Sequence, residues 1–293
     1  MSHKEKFTLM SFVNTLPYIS NPIEEFADFR FGVWERDIYP KFKAGVKASE
    51  IAFFTSLIRG KGAQKILDLG VGGGIELSGI LEDLAKQHYA ITTAEANEVD
   101  EHFIDQAQTL FHAKGQQVAI HKANWLDLPK ATTAYTATFD FGYLTGNSLT
   151  YIGGGSRDYT KSAQQSIVSK FAELIEPGGY LFIDSRNYNY IRSLMNLPKN
   201  EIFKNFTFDY TVYYHGFQDA ITVFPAYISE TVVVLHYYDK QAKIWSKLDL
   251  YPIYQADMRE ILSKDFEIEA IYHDFGKEPK EKSLFVQYLA RRK

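Results

Sequence analysis

The chain has 293 residues, 45% hydrophobic and 23% charged, the balance of a folded protein with a sizeable core and not of a disordered one. It contains no cysteine, which excludes disulfide frameworks, thiolate zinc sites, iron–sulfur clusters and cysteine nucleophiles together. A formal net charge of −4, no apolar run near the ~20 residues of a membrane span and no apolar signal core argue against nucleic acid and membrane as partners, and the expected compartment is the cytoplasm.

Residues 1–60 read as a helical or irregular N-terminal cap. From Lys65 the run Lys-Ile-Leu-Asp-Leu-Gly-Val-Gly-Gly-Gly predicts a short buried strand ending in a glycine loop. Leu77, Ile80, Leu81 and Leu84 then recur on one helical face, residues 90–96 form a second strand closed by Glu95, and Phe103, Ile104, Ala107, Leu110 and Phe111 mark the next helix. Further strands are predicted over 117–123, 139–144 and 180–184, with a helix through Ile167, Val168, Phe171 and Leu174 that Glu-Pro-Gly-Gly stops. Strands alternating with one-sided helices predict an α/β fold whose mostly parallel sheet carries helices on both faces. Its core is assigned to residues 61–185 and 253–293, the latter supplying a helix at 256–264 and strands near 267–272 and 284–290.

Residues 186–252 have a different pattern. Aromatic and polar positions alternate, as in Glu230-Thr-Val-Val-Val-Leu-His-Tyr-Tyr, which predicts an antiparallel β insertion. The chain holds 20 Tyr and 22 Phe, and tyrosine joins an apolar ring to a hydrogen-bonding tip, so this aromatic insertion is a candidate lid over a substrate.

Gly70, Gly72 and Gly74 lie directly after a strand and before a helix, where missing side chains let a ligand approach backbone N–H groups at a helix N-terminus. The dinucleotide fingerprint wants a glycine at the position of Ile75, so the loop points to a nucleoside without a pyrophosphate. Glu95 follows at roughly the ~20-residue spacing at which an acid reaches a ribose hydroxyl pair.

Three further segments are Lys122-Ala-Asn-Trp-Leu-Asp-Leu, Phe139-Asp-Phe-Gly-Tyr-Leu-Thr-Gly-Asn-Ser-Leu and Glu176-Pro-Gly-Gly-Tyr-Leu-Phe-Ile-Asp-Ser-Arg-Asn-Tyr. With the glycine loop they resemble class I S-adenosylmethionine-dependent methyltransferases, and their Ala-Asn-Trp, Gly-Asn-Ser and Arg-Asn-Tyr elements resemble the glycine N-methyltransferase family and its relatives acting on glycine, sarcosine or dimethylglycine. The resemblance implies a Rossmann-like sheet with S-adenosylmethionine as cofactor. Its methionine end would lie against Gly70 and Gly72, its ribose on Glu95 and its adenine near Asn124 and Trp125, with Thr145 also among the cofactor residues. Asp68 either orients the loop beside the sulfonium or caps backbone N–H groups. Asn147 matches the family's substrate-orienting asparagine and Arg186 its carboxylate-binding arginine, while Tyr214, Tyr237 and Tyr251 are matched to tyrosines of the substrate chamber. The loop reads Gly-Val-Gly-Gly-Gly where the family has Ala-Cys-Gly-Thr-Gly, and residues after Asn97 read as a short insertion.

The activity so implied is in-line transfer of a methyl group to the unprotonated nitrogen of a small amino acid or amine. Such a reaction asks mainly for positioning: Arg186 clamps a carboxylate and Asn147 accepts an amine N–H. No histidines stand at ligand spacing, so no metal is expected. The rivals are an NAD-dependent oxidoreductase, which Ile75 disfavours, a nucleic-acid amino-methyltransferase, which would want Asn/Asp-Pro-Pro-aromatic where Thr145-Gly-Asn-Ser stands, a methyltransferase of another small molecule, and a non-catalytic S-adenosylmethionine-binding protein. Oligomeric state has no legible signal.

Overall fold

The computed structural model describes residues 18–19, 39–128, 135, 138–154, 156–193, 221–239, 244–276, 278–279 and 282–293. They are β1 (Tyr18–Ile19), α1 (Tyr39–Lys61), β2 (Lys65–Asp68), α2 (Ile75–Lys86), β3 (Thr93–Glu98), α3 (Glu101–Ala113), β4 (Ala119–Lys122), β5 (Phe139–Leu144), α4 (Arg157–Leu174) and β6 (Ile175–Arg186). α5 (Tyr188–Ser193), β7 (Ile221–Ile228), β8 (Val233–Asp239), β9 (Ile244–Leu250), α6 (Gln255–Ser263), β10 (Phe266–His273) and β11 (Phe285–Arg292) follow. None of the described helices is long and apolar enough to cross a membrane.

The chain divides into two compact units, one of residues 45–187 and 253–293 and the other of residues 1–44 and 188–252. The first holds a seven-stranded sheet of order β10-β11-β6-β5-β2-β3-β4. β2, β3, β4, β5 and β6 run parallel, and β11 is antiparallel to both β6 and β10. The Rossmann-like α/β prediction is borne out here.

Successive side chains of these strands point to opposite faces, and each face is covered. Leu67, Leu144, Leu181 and Ile183 pack with Ile167 and Phe171 of α4 and Met258 and Ile261 of α6. Ile66, Phe141 and Phe182 pack on the other face with Phe54 and Ile58 of α1, Leu77 and Ile80 of α2, and Ala107 and Phe111 of α3. Residues 45–60, grouped by sequence with an N-terminal cap, thus join the core unit, because one face of α1 is a buried aromatic and aliphatic stripe.

Asp140 locks the start of β5 to β2, accepting the backbone N–H groups of Gln64 at 2.7 Å and Lys65 at 2.8 Å. Burial alone would raise its carboxyl, but those two donors and the Lys65 ammonium outweigh burial and hold it below the usual carboxylate range.

The second unit holds a four-stranded sheet of order β1-β9-β8-β7. β7, β8 and β9 form an antiparallel meander with Val223, Tyr237 and Ser246 in register, and β1 adds in parallel to β9. Ser229 closes the β7–β8 turn, its hydroxyl accepting Val232 N–H at 3.0 Å. The predicted antiparallel character holds for these strands, and the N-terminal region contributes a strand where only helix or irregular structure was expected.

Candidate functional site

β2 is followed outward by β3 and β4 on one side, and the chain then returns to place β5 on its other side. This reversal opens a crevice at the carboxyl ends of β2 and β5, the position where open α/β sheets take ligands. The glycine loop lies at that edge. Gly72 and Gly74 have φ of 50° and 80°, left-handed values that glycine adopts without a Cβ penalty. At Gly74 an added Cβ would come within 3.0 Å of Ala107 and Phe111, so this glycine lets α2 approach α3. At Gly72 nothing lies within 4 Å, which leaves that backbone face open to a ligand. Asp68, buried beneath the loop, accepts Gly70 N–H at 3.0 Å, which fits its backbone-capping reading. Burial and then the neighbouring Asp68 carboxylate hold the Tyr143 phenol well above its ordinary range.

The acid of the second strand requires a correction. β3 does not close at Glu95 but continues to Glu98, so of the residues read as an insertion after Asn97 only the first extends the strand. Glu95 is 2% exposed, and its Oε2 lies 2.5 Å from Nε2 of His121 on β4. The Tyr135 ring lies tilted against the His121 ring, with centroids 4.2 Å apart. Burial, and secondarily the Glu95 charge, push the Tyr135 phenol up to about 12. Glu98 instead stands at the strand end beside the loop, where its Oε2 accepts Gly72 N–H at 2.9 Å and its Oε1 accepts Val99 N–H at 2.8 Å.

Asn124 and Trp125 follow β4. The Asn124 side chain caps the 3-10 turn Trp125–Asp127 by accepting Leu126 N–H at 3.0 Å. The Trp125 indole donates to Leu69 O at 2.6 Å, meets Phe171 edge-on at 5.8 Å and lies against the Gly70 backbone. The tryptophan therefore joins this turn to the glycine loop and also packs on the core.

On the other side of the crevice, Thr145 donates to Oε1 of Glu76 at 3.2 Å. Glu76 is a buried acid in the first turn of α2, where a carboxylate complements the helix dipole. Asn147 has φ 61° and is 3% exposed. Its backbone N–H donates to Asp184 at 2.7 Å, its Nδ2 donates to Thr150 at 2.7 Å, and its Oδ1 accepts Arg186 N–H at 2.9 Å. The Arg186 guanidinium lies over the Phe285 ring at 5.1 Å.

The core unit thus brings Asp68, Gly70, Gly72, Trp125, Asn124 and Thr145 to one sheet edge, with Asn147 and Arg186 at the adjoining strand exits. Tyr237 lies on β8 and Tyr251 just after β9, both in the other unit, and Tyr214 is outside the described residues. Sequence reasoning missed Glu98, Glu76 and Asn97. For Glu98 a usable signal was Asp100, an N-cap whose side chain accepts His102 and Phe103 N–H groups and so fixes where β3 must end.

No protein-family model matches the chain. Rat (Rattus norvegicus) glycine N-methyltransferase is 28% identical over 162 residues, covering 53% of this chain and 52% of the relative, so the match spans about half that protein's length. Glycine/sarcosine N-methyltransferase of Aphanothece halophytica is 22% identical over 232 residues, 78% of this chain and 76% of the relative. Among solved structures, an S-adenosylmethionine-dependent methyltransferase from Clostridium acetobutylicum superposes with a TM-score of 0.59 at 14% identity, over 93% of this chain and 99% of the other.

Proposed function

We propose, for a chain with the fold of the class I S-adenosylmethionine-dependent methyltransferases, that it methylates the nitrogen of a small amino acid or amine of the glycine, sarcosine or dimethylglycine type. The observation that carries this reading is the pairing of Gly72 with Glu98: an unobstructed backbone face and a strand-end carboxylate, 2.9 Å apart, at the switch-point crevice.

The residues fit the cofactor. Gly72 leaves room for its amino-acid end, Glu98 accepts the Gly72, Val99 and Asp100 N–H groups and keeps one acceptor position on Oε2 for a ribose hydroxyl, and Asn124 and Trp125, the residues assigned to the base, form the turn after β4. When bound, S-adenosylmethionine supplies a methyl group already activated on a sulfonium. What remains for the protein is to orient an unprotonated amine and keep competing water out. The bond that holds Arg186 N–H is made by its backbone, and its side chain carries a planar fork of the kind that binds a carboxylate through two bonds. Asn147 Oδ1, which accepts Arg186 N–H, is the group assigned by the resemblance to orient the substrate amine. The roles of Tyr214, Tyr237 and Tyr251, and of residues 186–252 as a lid, rest on the sequence resemblance.

The test is incubation of the full chain with methyl-labelled S-adenosylmethionine and a panel of glycine, sarcosine, dimethylglycine, β-amino acids and simple amines, with product mass. Methylation of one or more carboxylate-bearing amines is expected. Cofactor binding without label transfer to any acceptor would favour the non-catalytic reading.

A further inference from the structure

We propose that Asn97 is a positioning residue: it holds the turn bearing Asn124 and Trp125 against the Glu98 end of β3, and so sets affinity for the nucleoside half of the cofactor. The affinity part rests on the methyltransferase reading above; the positioning part rests on geometry alone. Asn97 is 1% exposed and lies on β3 directly before Glu98, with His121 of β4 as its strand partner. Its amide nitrogen donates both hydrogens across the strand end, to His121 O at 3.1 Å and to Ala123 O at 2.9 Å. The second of these lies beyond β4, which stops at Lys122, so the side chain extends the pairing where the regular ladder has ended.

The same residue is tied to the glycine loop, because its backbone carbonyl accepts Val71 N–H at 3.0 Å. Glu98 adds one bond to the same segment, its carbonyl accepting Ala123 N–H at 3.1 Å. Three parts of the candidate site, namely the loop around Gly72, the acid Glu98 and the turn starting at Asn124, therefore meet at Asn97, whose side chain adds two bonds to the turn besides those made by Glu98. The Trp125 bond to Leu69 O anchors the far side of the turn. An amide is the side chain that this place asks for. Leucine or valine has no donor, and an ionised aspartate would set a carboxylate against two carbonyl oxygens.

Replacement should therefore loosen the turn before it loosens the sheet. The experiment compares wild-type full chain with Asn97→Leu and Asn97→Gln, measuring S-adenosylhomocysteine and methylthioadenosine affinity by calorimetry and amide hydrogen exchange without ligand. The two probes share the nucleoside and differ in the amino-acid end. Asn97→Leu should weaken both by a similar factor, roughly 10-fold or more. Exchange should rise across residues 123–128 while residues 66–68 and 181–184 keep their protection. Asn97→Gln, which retains two donors at a longer reach, should recover part of the loss. Unchanged affinity for both probes, or exchange that rises evenly through the sheet, would overturn the proposal. Wild type binding neither probe would overturn the cofactor reading and the affinity claim with it. Exchange would then judge the positioning claim, upheld by a rise confined to 123–128 and overturned without one.

Discussion

Arg186 donates its backbone N–H to the side-chain oxygen of Asn147 at 2.9 Å, so the exits of β5 and β6 are joined by a bond that does not use the arginine side chain. The two residues therefore separate in experiment. Arg186→Ala keeps the bracket and removes the guanidinium together with its contact to Phe285, worth about 0.5–1 kcal/mol at such sites. Its kcat/KM for a carboxylate substrate should fall roughly 30- to 5,000-fold, from the ~2–5 kcal/mol of a truncated charge pair. Arg186→Lys should recover only part, since a point charge lacks the planar fork. Asn147→Ala removes the bracket and leaves the half-buried Arg186 N–H without its acceptor, so it should lower stability by about 1–3 kcal/mol as well as turnover. Running each variant with an amino acid and its amidated analogue checks both statements. Equal use of the analogue by wild type would make Arg186 structural.

The glycine loop offers a second pair. Gly74→Ala combines left-handed strain of about 1–2 kcal/mol with overpacking against Ala107 and Phe111 of about 1–3 kcal/mol, and should lower the melting temperature strongly. Gly72→Ala meets no atom within 4 Å, so only the strain applies, yet its methyl group stands on the open face. Thermal melts and S-adenosylhomocysteine titrations should show a clear stability loss for the first and a disproportionate affinity loss for the second. Wild-type affinity in Gly72→Ala would mean that this face does not meet the ligand.

Acid stability should depend on Asp140. Its carboxyl is lower in the folded protein than in the unfolded chain, so its contribution is fully present above the unfolded value of about 3.9 and is lost as pH falls through the folded value. Asp140→Ala should cost about 1–3 kcal/mol at pH 6 by freeing the Gln64 and Lys65 N–H groups. The difference from wild type should shrink steadily below pH 4. Denaturant unfolding at pH 6, 4 and 3 measures it, and a difference that stays constant would assign the effect to packing.

Much of the core was legible in the sequence because its strands and helices have distinct periods. Phe139–Leu144 is a run buried on both faces, and Ile167, Val168 and Phe171 fall on one side of α4. The glycine loop was legible because strand, turn and helix are contiguous. The end of β3 was not, since Thr-Ala-Glu-Ala-Asn-Glu contains two acids and burial alone tells them apart: Glu95 turns inward to His121 and Glu98 reaches Gly72. The Asn97 and Asn147 brackets were also hidden. Each joins segments distant in sequence, Asn97 to His121 and Ala123, Asn147 to Asp184 and Arg186, and no local pattern encodes such partners.

The measurement closest to the central claim is calorimetric titration of S-adenosylhomocysteine into wild type, Glu98→Ala and Glu95→Ala, with a melt of each. Glu98→Ala should weaken binding roughly 10- to 150-fold, the ~1.5–3 kcal/mol of a charged acceptor, and should also melt earlier, because its carboxylate holds the N–H groups of Gly72, Val99 and Asp100. Glu95→Ala should melt earlier too, because it strips a buried partner from His121, but should bind within a few-fold of wild type. The reverse pattern, with affinity lost in Glu95→Ala and kept in Glu98→Ala, would contradict the account, as would a wild-type protein that does not bind the ligand.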